Sequence, residues 1–165
     1  MTLDFAAVAR ALLENALDQV AAGRASAVGV TFTGATVSVR DDGPGLPLGP
    51  HPLSGRPLLE VILTGPRRGP RNTLARVNAA CLWLEAAVDA GGGHWFQRYE
   101  WAVPVAPPER HGDSRTTGST LLAAPSRGDP PSLQQVVAWI DARRGPRGRV
   151  EVEHPDGALD VELAD

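Results

Sequence analysis

The apolar pattern of the chain changes period at Gly23, and that change limits the folds open to it. Ahead of Gly23, Ala6, Ala9, Leu13, Ala16, Leu17 and Val20 recur at helical spacing on one face. Thr2 or Asp4 can cap this helix, which is expected to run to about Ala22 with Gly23 as its stop. Asn15, Asp18 and Gln19 fall on the opposite face. Beyond Gly23, "AVGVTF" and "TVSVRD" alternate apolar with polar around "TGA", the pattern of a β-hairpin. A long helix feeding directly into antiparallel strands points to an α+β sandwich, a mixed, mostly antiparallel sheet with helices packed on one face.

The remaining segments fit that plan. "RPLLEVILTG" predicts a short helix with Pro57 in its first turn, and "NTLARVNAAC" a second one capped by Asn72. "LWLEAAVDAGGGHWFQRYEWAVPV" predicts a hairpin with a glycine turn, on which the spacing of Trp95 and Trp101 gives them a shared face. "GSTLLAA" predicts a strand, "SLQQVVAWIDARRG" a capped amphipathic helix, and "GRVEVEHPDGALDVEL" a closing hairpin at "PDG". Gly and Pro number 18 and 15 in 165 residues, and much of this content gathers in "DDGPGLPLGPHP" and "TGPRRGPR", which are expected to be loops. No repeat or linker divides the chain, so residues 1–165 are expected to form one domain.

Charge and cysteine content exclude several classes. A net charge of −3 lacks the electrostatic footprint of a nucleic-acid binder, so nucleic acid is not expected as a partner. The single cysteine, Cys81, excludes an internal disulfide and lies in an apolar run where it would act as a small hydrophobe. No apolar stretch is long enough to span a bilayer and no signal peptide is evident, so a cytoplasmic protein without a membrane partner is expected.

Two segments carry more than pattern. "ENALDQVAAGRASAVGVTFTGATVSVRDDGPGLP" resembles the opening of the ATP-binding domain of DNA gyrase B and its topoisomerase relatives, in the GHKL superfamily. That family has an "xDNAxDE"-like helix and a hairpin ending in "DDGRGIP". The likeness continues in order through "HPLSGRPLLEVILTG", "FQRYEWAVP" and "TTGSTLLAAPS", and so covers nearly the whole chain. It implies the GHKL (Bergerat-type) fold, with ATP or ADP lying between helices and sheet.

On this resemblance, Asp41 would accept a hydrogen bond from the adenine amino group, while Gly43 and Gly45 let the backbone approach the base. Asn15 would hold Mg2+ against the phosphates, an amide oxygen being a suitable hard ligand. Asp18 matches a carboxylate of the same helix face, and Ser119 a hydroxyl that supports the aspartate. Arg67, Arg68 and Arg71, just ahead of the Asn72 helix, could hold a diphosphate or form a basic surface loop.

The chain also departs from the family. Ala11 stands where a glutamate activates water, and a methyl group takes no proton. Glu14 is rotated about 100° from Asn15 around the helix. Gln19 and Pro44 replace a glutamate and an arginine that pair across the pocket, and "PRRGPRNTLA" stands where a glycine-rich lid is expected. These features lead to an adenine-nucleotide-binding module with a sensor or regulatory role, no efficient hydrolysis and no catalytic residue. The alternatives are a ligand-free interaction or structural protein on the same scaffold, or a slow ATPase. A protein partner is expected but not identified, and a monomer is the default.

Overall fold

The computed structural model describes residues 2–66, 72–143 and 147–163. Among these, four helices and nine strands follow in the order α1 (Phe5–Ala21), β1 (Ala27–Thr33), β2 (Thr36–Asp41), α2 (Leu58–Thr64), α3 (Thr73–Ala79), β3 (Cys81–Ala90), β4 (Gly93–Glu100), β5 (Val103–Pro104), β6 (Glu109–Asp113), β7 (Gly118–Pro125), α4 (Leu133–Asp141), β8 (Gly148–His154) and β9 (Gly157–Leu163). The strands form one sheet ordered β5-β4-β3-β7-β2-β1-β8-β9, with β6 also on β4. Only β1 and β8 pair in parallel among the described strands. The sheet is therefore mixed and mostly antiparallel, as the period change at Gly23 predicts.

The Asp4 carboxylate accepts the Ala7 amide at 2.9 Å and starts α1, and Gly23 at φ 71° ends it. The buried stripe of α1 is wider than the spacing suggests, because Phe5, Val8 and Leu12 join Ala9, Leu13, Ala16, Leu17 and Val20. Each large side chain among them contributes roughly 1.5–3 kcal/mol by leaving water. They pack on one face of the sheet, against Val28, Val30, Val37, Val39, Leu121 and Ala86. The Ser132 hydroxyl and the Gln135 side chain close a reciprocal capping box at the start of α4.

Three local expectations need correction. Asn72 occupies the cap position of α3, but its side chain makes no capping bond there and donates to the Pro66 carbonyl. Cys81 begins β3 rather than extending α3, and its thiol donates to the Val77 carbonyl at 3.1 Å. Its burial pushes the thiol pKa up to about 12, which suits the expected inert role. Trp101 does not share a strand face with Trp95, because β4 stops at Glu100 and the chain turns through Trp101 and Ala102 at φ 50° and 62°. The turn leaves Trp101 68% exposed, while Trp95 packs against the core.

Buried polar groups fasten α2 and α3. Asn78 Nδ2 donates to the Leu63 carbonyl at 2.9 Å and ties one helix to the other. Gln97 is buried in β4, where its amide donates to Glu60 and to the Ala106 carbonyl and accepts the Tyr99 hydroxyl. The composition gives no hint of either arrangement, because both depend on long-range packing.

Candidate functional site

The site begins where the apolar stripe of β2 ends in a carboxylate. Alternation turns Val37, Val39 and Asp41 toward the helix-covered face. Strand register then sets Asp41 beside Val28 and Ser119, and Ser119 beside Val88. Two polar side chains thus sit in a row of valines, Asp41 at 8% exposure and Ser119 at 7%.

Each is held. The Gly43 amide donates to Asp41 Oδ1 at 2.9 Å, and the Leu46 amide donates to Ser119 Oγ at 2.8 Å. These two bonds fold residues 43–46 over the strand ends. Asp41 Oδ2 has no hydrogen-bond donor among the described residues. Burial pushes the Asp41 carboxyl above the usual aspartate range, and the Gly43 amide opposes the rise. The expected contact of Ser119 with Asp41 is thus replaced by one with the loop, and the hydroxyl keeps its own proton to donate.

The neighbouring Asp42 has a different task. Its Oδ1 accepts the Ser26 and Ala27 amides at 2.7 and 3.0 Å, and its Oδ2 accepts the Ser26 hydroxyl at 2.6 Å. Burial pushes this carboxyl up, but the donors outweigh it and hold the pKa below the usual range. Asp42 locks the start of β1 to the end of β2.

Backbone shape finishes the strand side. Gly45 sits at φ 87°, and a Cβ there would meet the Asp89 carbonyl and Val88 Cγ1 at 3.0 Å. Gly118 belongs to the "TTGST" segment but is not singled out from the sequence, and a Cβ on it would lie 2.3 Å from the Asp41 carbonyl oxygen. Its place directly before Ser119 in that segment is the pointer the sequence offers.

A cavity of about 230 Å³ opens over this floor. Asp41, Pro44, Gly45, Leu46, Pro47 and Ser119 line it from the sheet side, and Asn15, Gln19 and Arg24 from the α1 side. Asn15 and Gln19 are one helical turn apart and so face the same space. Gly43 is not among the residues lining the cavity and acts on it through the amide it donates to Asp41. The structure brings together Asn15, Asp41, Gly45 and Ser119, and adds Gln19 and Arg24.

Other residues named from the sequence lie elsewhere. Asp18 is turned away from the cavity and takes a hydrogen bond from Arg143. Glu14 pairs with Arg10 at 2.9 Å on the surface. Ala11 packs partly buried against the core. Arg67, Arg68 and Arg71 fall outside the described residues. Among the described residues no group of three His, Cys, Asp or Glu side chains could hold a metal ion. Asn15 could supply one oxygen ligand, so a Mg2+ ion here would take its remaining ligands from phosphate and water.

No protein-family model matches the chain. The DNA gyrase B protein of Treponema pallidum is 29% identical over 143 residues, covering 78% of this chain and 22% of that protein. The novobiocin-resistant DNA gyrase B protein of Streptomyces niveus is 34% identical over 125 residues, covering 67% and 18%. Its Thermotoga maritima counterpart is 31% identical over 129 residues, covering 69% and 20%. The chain thus spans about a fifth of the length of these curated relatives. The topoisomerase IV ATP-binding domain of Francisella tularensis, solved with a small-molecule inhibitor, superposes with a TM-score of 0.80 at 22% identity, over 92% of this chain and 83% of that one.

The fold is that of GHKL ATP-binding domains. Within that class, the chain is a homologue of the ATPase region of DNA gyrase B. No helix among the described residues is long and apolar enough to cross a membrane.

Proposed function

We propose that residues 1–165 form one adenine-nucleotide-binding module that does not hydrolyse efficiently and acts in the cytoplasm as a sensor or regulator. The observation that carries this reading is the buried Asp41 carboxylate, held by Gly43 and facing a 230 Å³ cavity with one oxygen still unpaired by the described residues. A ligand donating an N–H to that oxygen satisfies it, whereas one without the donor leaves a buried acceptor unmet. The cavity lies below the roughly 300–1,000 Å³ of sites that enclose drug-sized ligands, which suits a base with its ribose and phosphates directed outward.

The helix side supports the second half of the reading. Ala11 offers no base, Glu14 is held by Arg10, and Asp18 is held by Arg143, so no carboxylate of α1 is aimed at a water beside a phosphate. Loss of the family's glycine-rich lid, with "PRRGPRNTLA" in its place, belongs to the same proposal. Asn15 is its Mg2+ ligand, and Arg67, Arg68 and Arg71 its candidate phosphate contacts.

Calorimetric titration with ADP and a non-hydrolysable ATP analogue, with and without Mg2+, tests the reading. Micromolar binding that Asp41→Asn weakens by about a hundredfold or more is expected, since the amide places a donor opposite a donor. A Mg2+ requirement would bring in Asn15. One observation favours a second reading, an interaction protein without a ligand. The turn after β4 exposes Trp101, Val103 and Val105 together, at 68%, 63% and 60%. Absence of heat and of thermal stabilisation at millimolar nucleotide, where a micromolar ligand adds about 4 kcal/mol, would select that reading.

A further inference from the structure

We propose that Arg24 is a specificity-determining residue of the cavity, donating to the ring nitrogen N7 of an adenine whose amino group is taken by Asp41. This inference rests on the nucleotide-binding reading above and names what reads the base.

Arg24 lies just past the end of α1 and is held at two points by one residue. The Gln19 carbonyl accepts the Arg24 amide at 2.9 Å, and the Gln19 side-chain oxygen accepts Arg24 Nε at 3.1 Å. Both side chains line the cavity. A guanidinium has five N–H donors, so four remain after the bond to Gln19, and none has an acceptor among the described residues. Nor does any carboxylate among them form an ion pair with Arg24. A cation whose stem is fixed while its fork is free is pre-organised to bind.

Its place in the chain is nearer the Asp41 turn than the candidate metal ligand is. A Cβ built on Gly43 would sit 2.8 Å from Asp41 Oδ1 and 3.5 Å from the Arg24 carbonyl, so the Arg24 backbone adjoins the Asp41 turn. Asn15, the candidate metal ligand, lies farther back along α1. Arg24 and Asp41 both line the cavity, so a donor and an acceptor face the same space. Adenine carries the complement on one edge, with N7 an acceptor and the adjacent N6 amino group a donor. Guanine carries two acceptors there, N7 and O6, and O6 would face the Asp41 carboxylate. The pair thus accepts adenine and rejects guanine.

The sequence showed only half of this. Gln19 stands where the family has a charged partner, but a glutamine bound to a nearby arginine leaves a net positive charge at the cavity that a glutamate would cancel.

The test titrates ADP, 7-deaza-ADP and GDP into the wild-type chain and into Arg24→Ala and Arg24→Lys, with melting temperature as a folding control. Wild type is expected to bind ADP about tenfold or more tightly than 7-deaza-ADP, and GDP weakest. Arg24→Ala is expected to bind ADP at the 7-deaza level and to lose nothing further with 7-deaza-ADP, because both changes delete the same hydrogen bond. Arg24→Lys is expected to recover part of the difference. Equal binding of ADP and 7-deaza-ADP by wild type, or losses from analogue and mutation that simply add, would overturn the role of Arg24 while leaving Asp41 as the reader of the base. Absence of ADP binding by wild type would overturn both this inference and the function it rests on. Arg24 is exposed, so its substitution leaves the core intact.

Discussion

The sheet side and the α1 side of the cavity differ in how firmly they hold their polar groups. On the sheet side, Asp41 and Ser119 are buried in a row of valines, each fixed by a backbone amide. On the α1 side, Asn15 and Gln19 are half-buried, Arg24 is exposed, and the carboxylates of the helix are engaged elsewhere. A buried polar group left unpaired costs about 1–3 kcal/mol, so the sheet side is under constraint whether or not a ligand binds. The helix side carries no such constraint, and its residues can change without disturbing the fold. The two sides of one cavity are therefore replaceable to different degrees, the helix side more freely than the sheet side.

The sharpest way to break that comparison is at Gly118. Gly118→Ala places a methyl group 2.3 Å from the Asp41 carbonyl, in a backbone conformation at φ 150° that side chains disfavour. A stability loss of about 3 kcal/mol or more is expected in denaturant titration. A loss under about 1 kcal/mol would mean that the sheet side yields as readily as the helix side.

Asp42 comes next. Asp42→Ala removes the acceptor for the Ser26 and Ala27 amides and the Ser26 hydroxyl, and an expected loss of about 1–2 kcal/mol takes account of water reaching this edge. The two adjacent aspartates also respond oppositely to pH. The folded pKa of Asp42 lies below its unfolded value near 3.8, so its contribution is full above that value and is lost as pH falls through the folded one. The folded pKa of Asp41 lies above 3.8, so its charge costs nothing below 3.8 and lowers stability as pH rises through the folded value. Asp41→Asn is accordingly expected to be slightly more stable than wild type at pH 7 while binding nucleotide about a hundredfold or more weakly, a result that parallel melting and titration curves would display.

The smallest effect belongs to Asp18. Its side chain is 63% exposed and paired with Arg143, so Asp18→Ala is expected to change stability by under about 0.5 kcal/mol and nucleotide affinity by less than twofold. A larger loss of affinity would return Asp18 to the cavity and make the helix side as specific as the sheet side.

Short-range rules were legible in the sequence. A cap at Thr2 or Asp4, the stop at Gly23, the hairpin to Asp41, the turn at Gly43 and Gly45 and a capped α4 all follow from a few neighbouring residues, because caps, turns and alternation depend on local backbone geometry. The ordered motifs added the fold and placed Asn15, Asp41, Gly45 and Ser119 around one cavity. Only tertiary structure decided the rest. The parallel pairing of β1 with β8 joins segments more than a hundred residues apart. Arg143, just past a distant helix end, holds Asp18 on the surface. The left-handed turn at Trp101 takes that side chain off the strand its alternation suggests. Arg24 is an ordinary arginine after a helix until Gln19 binds it and the Asp41 turn lies beside it. Each of these outcomes depends on which distant groups meet, and neither local propensity nor spacing contains that information.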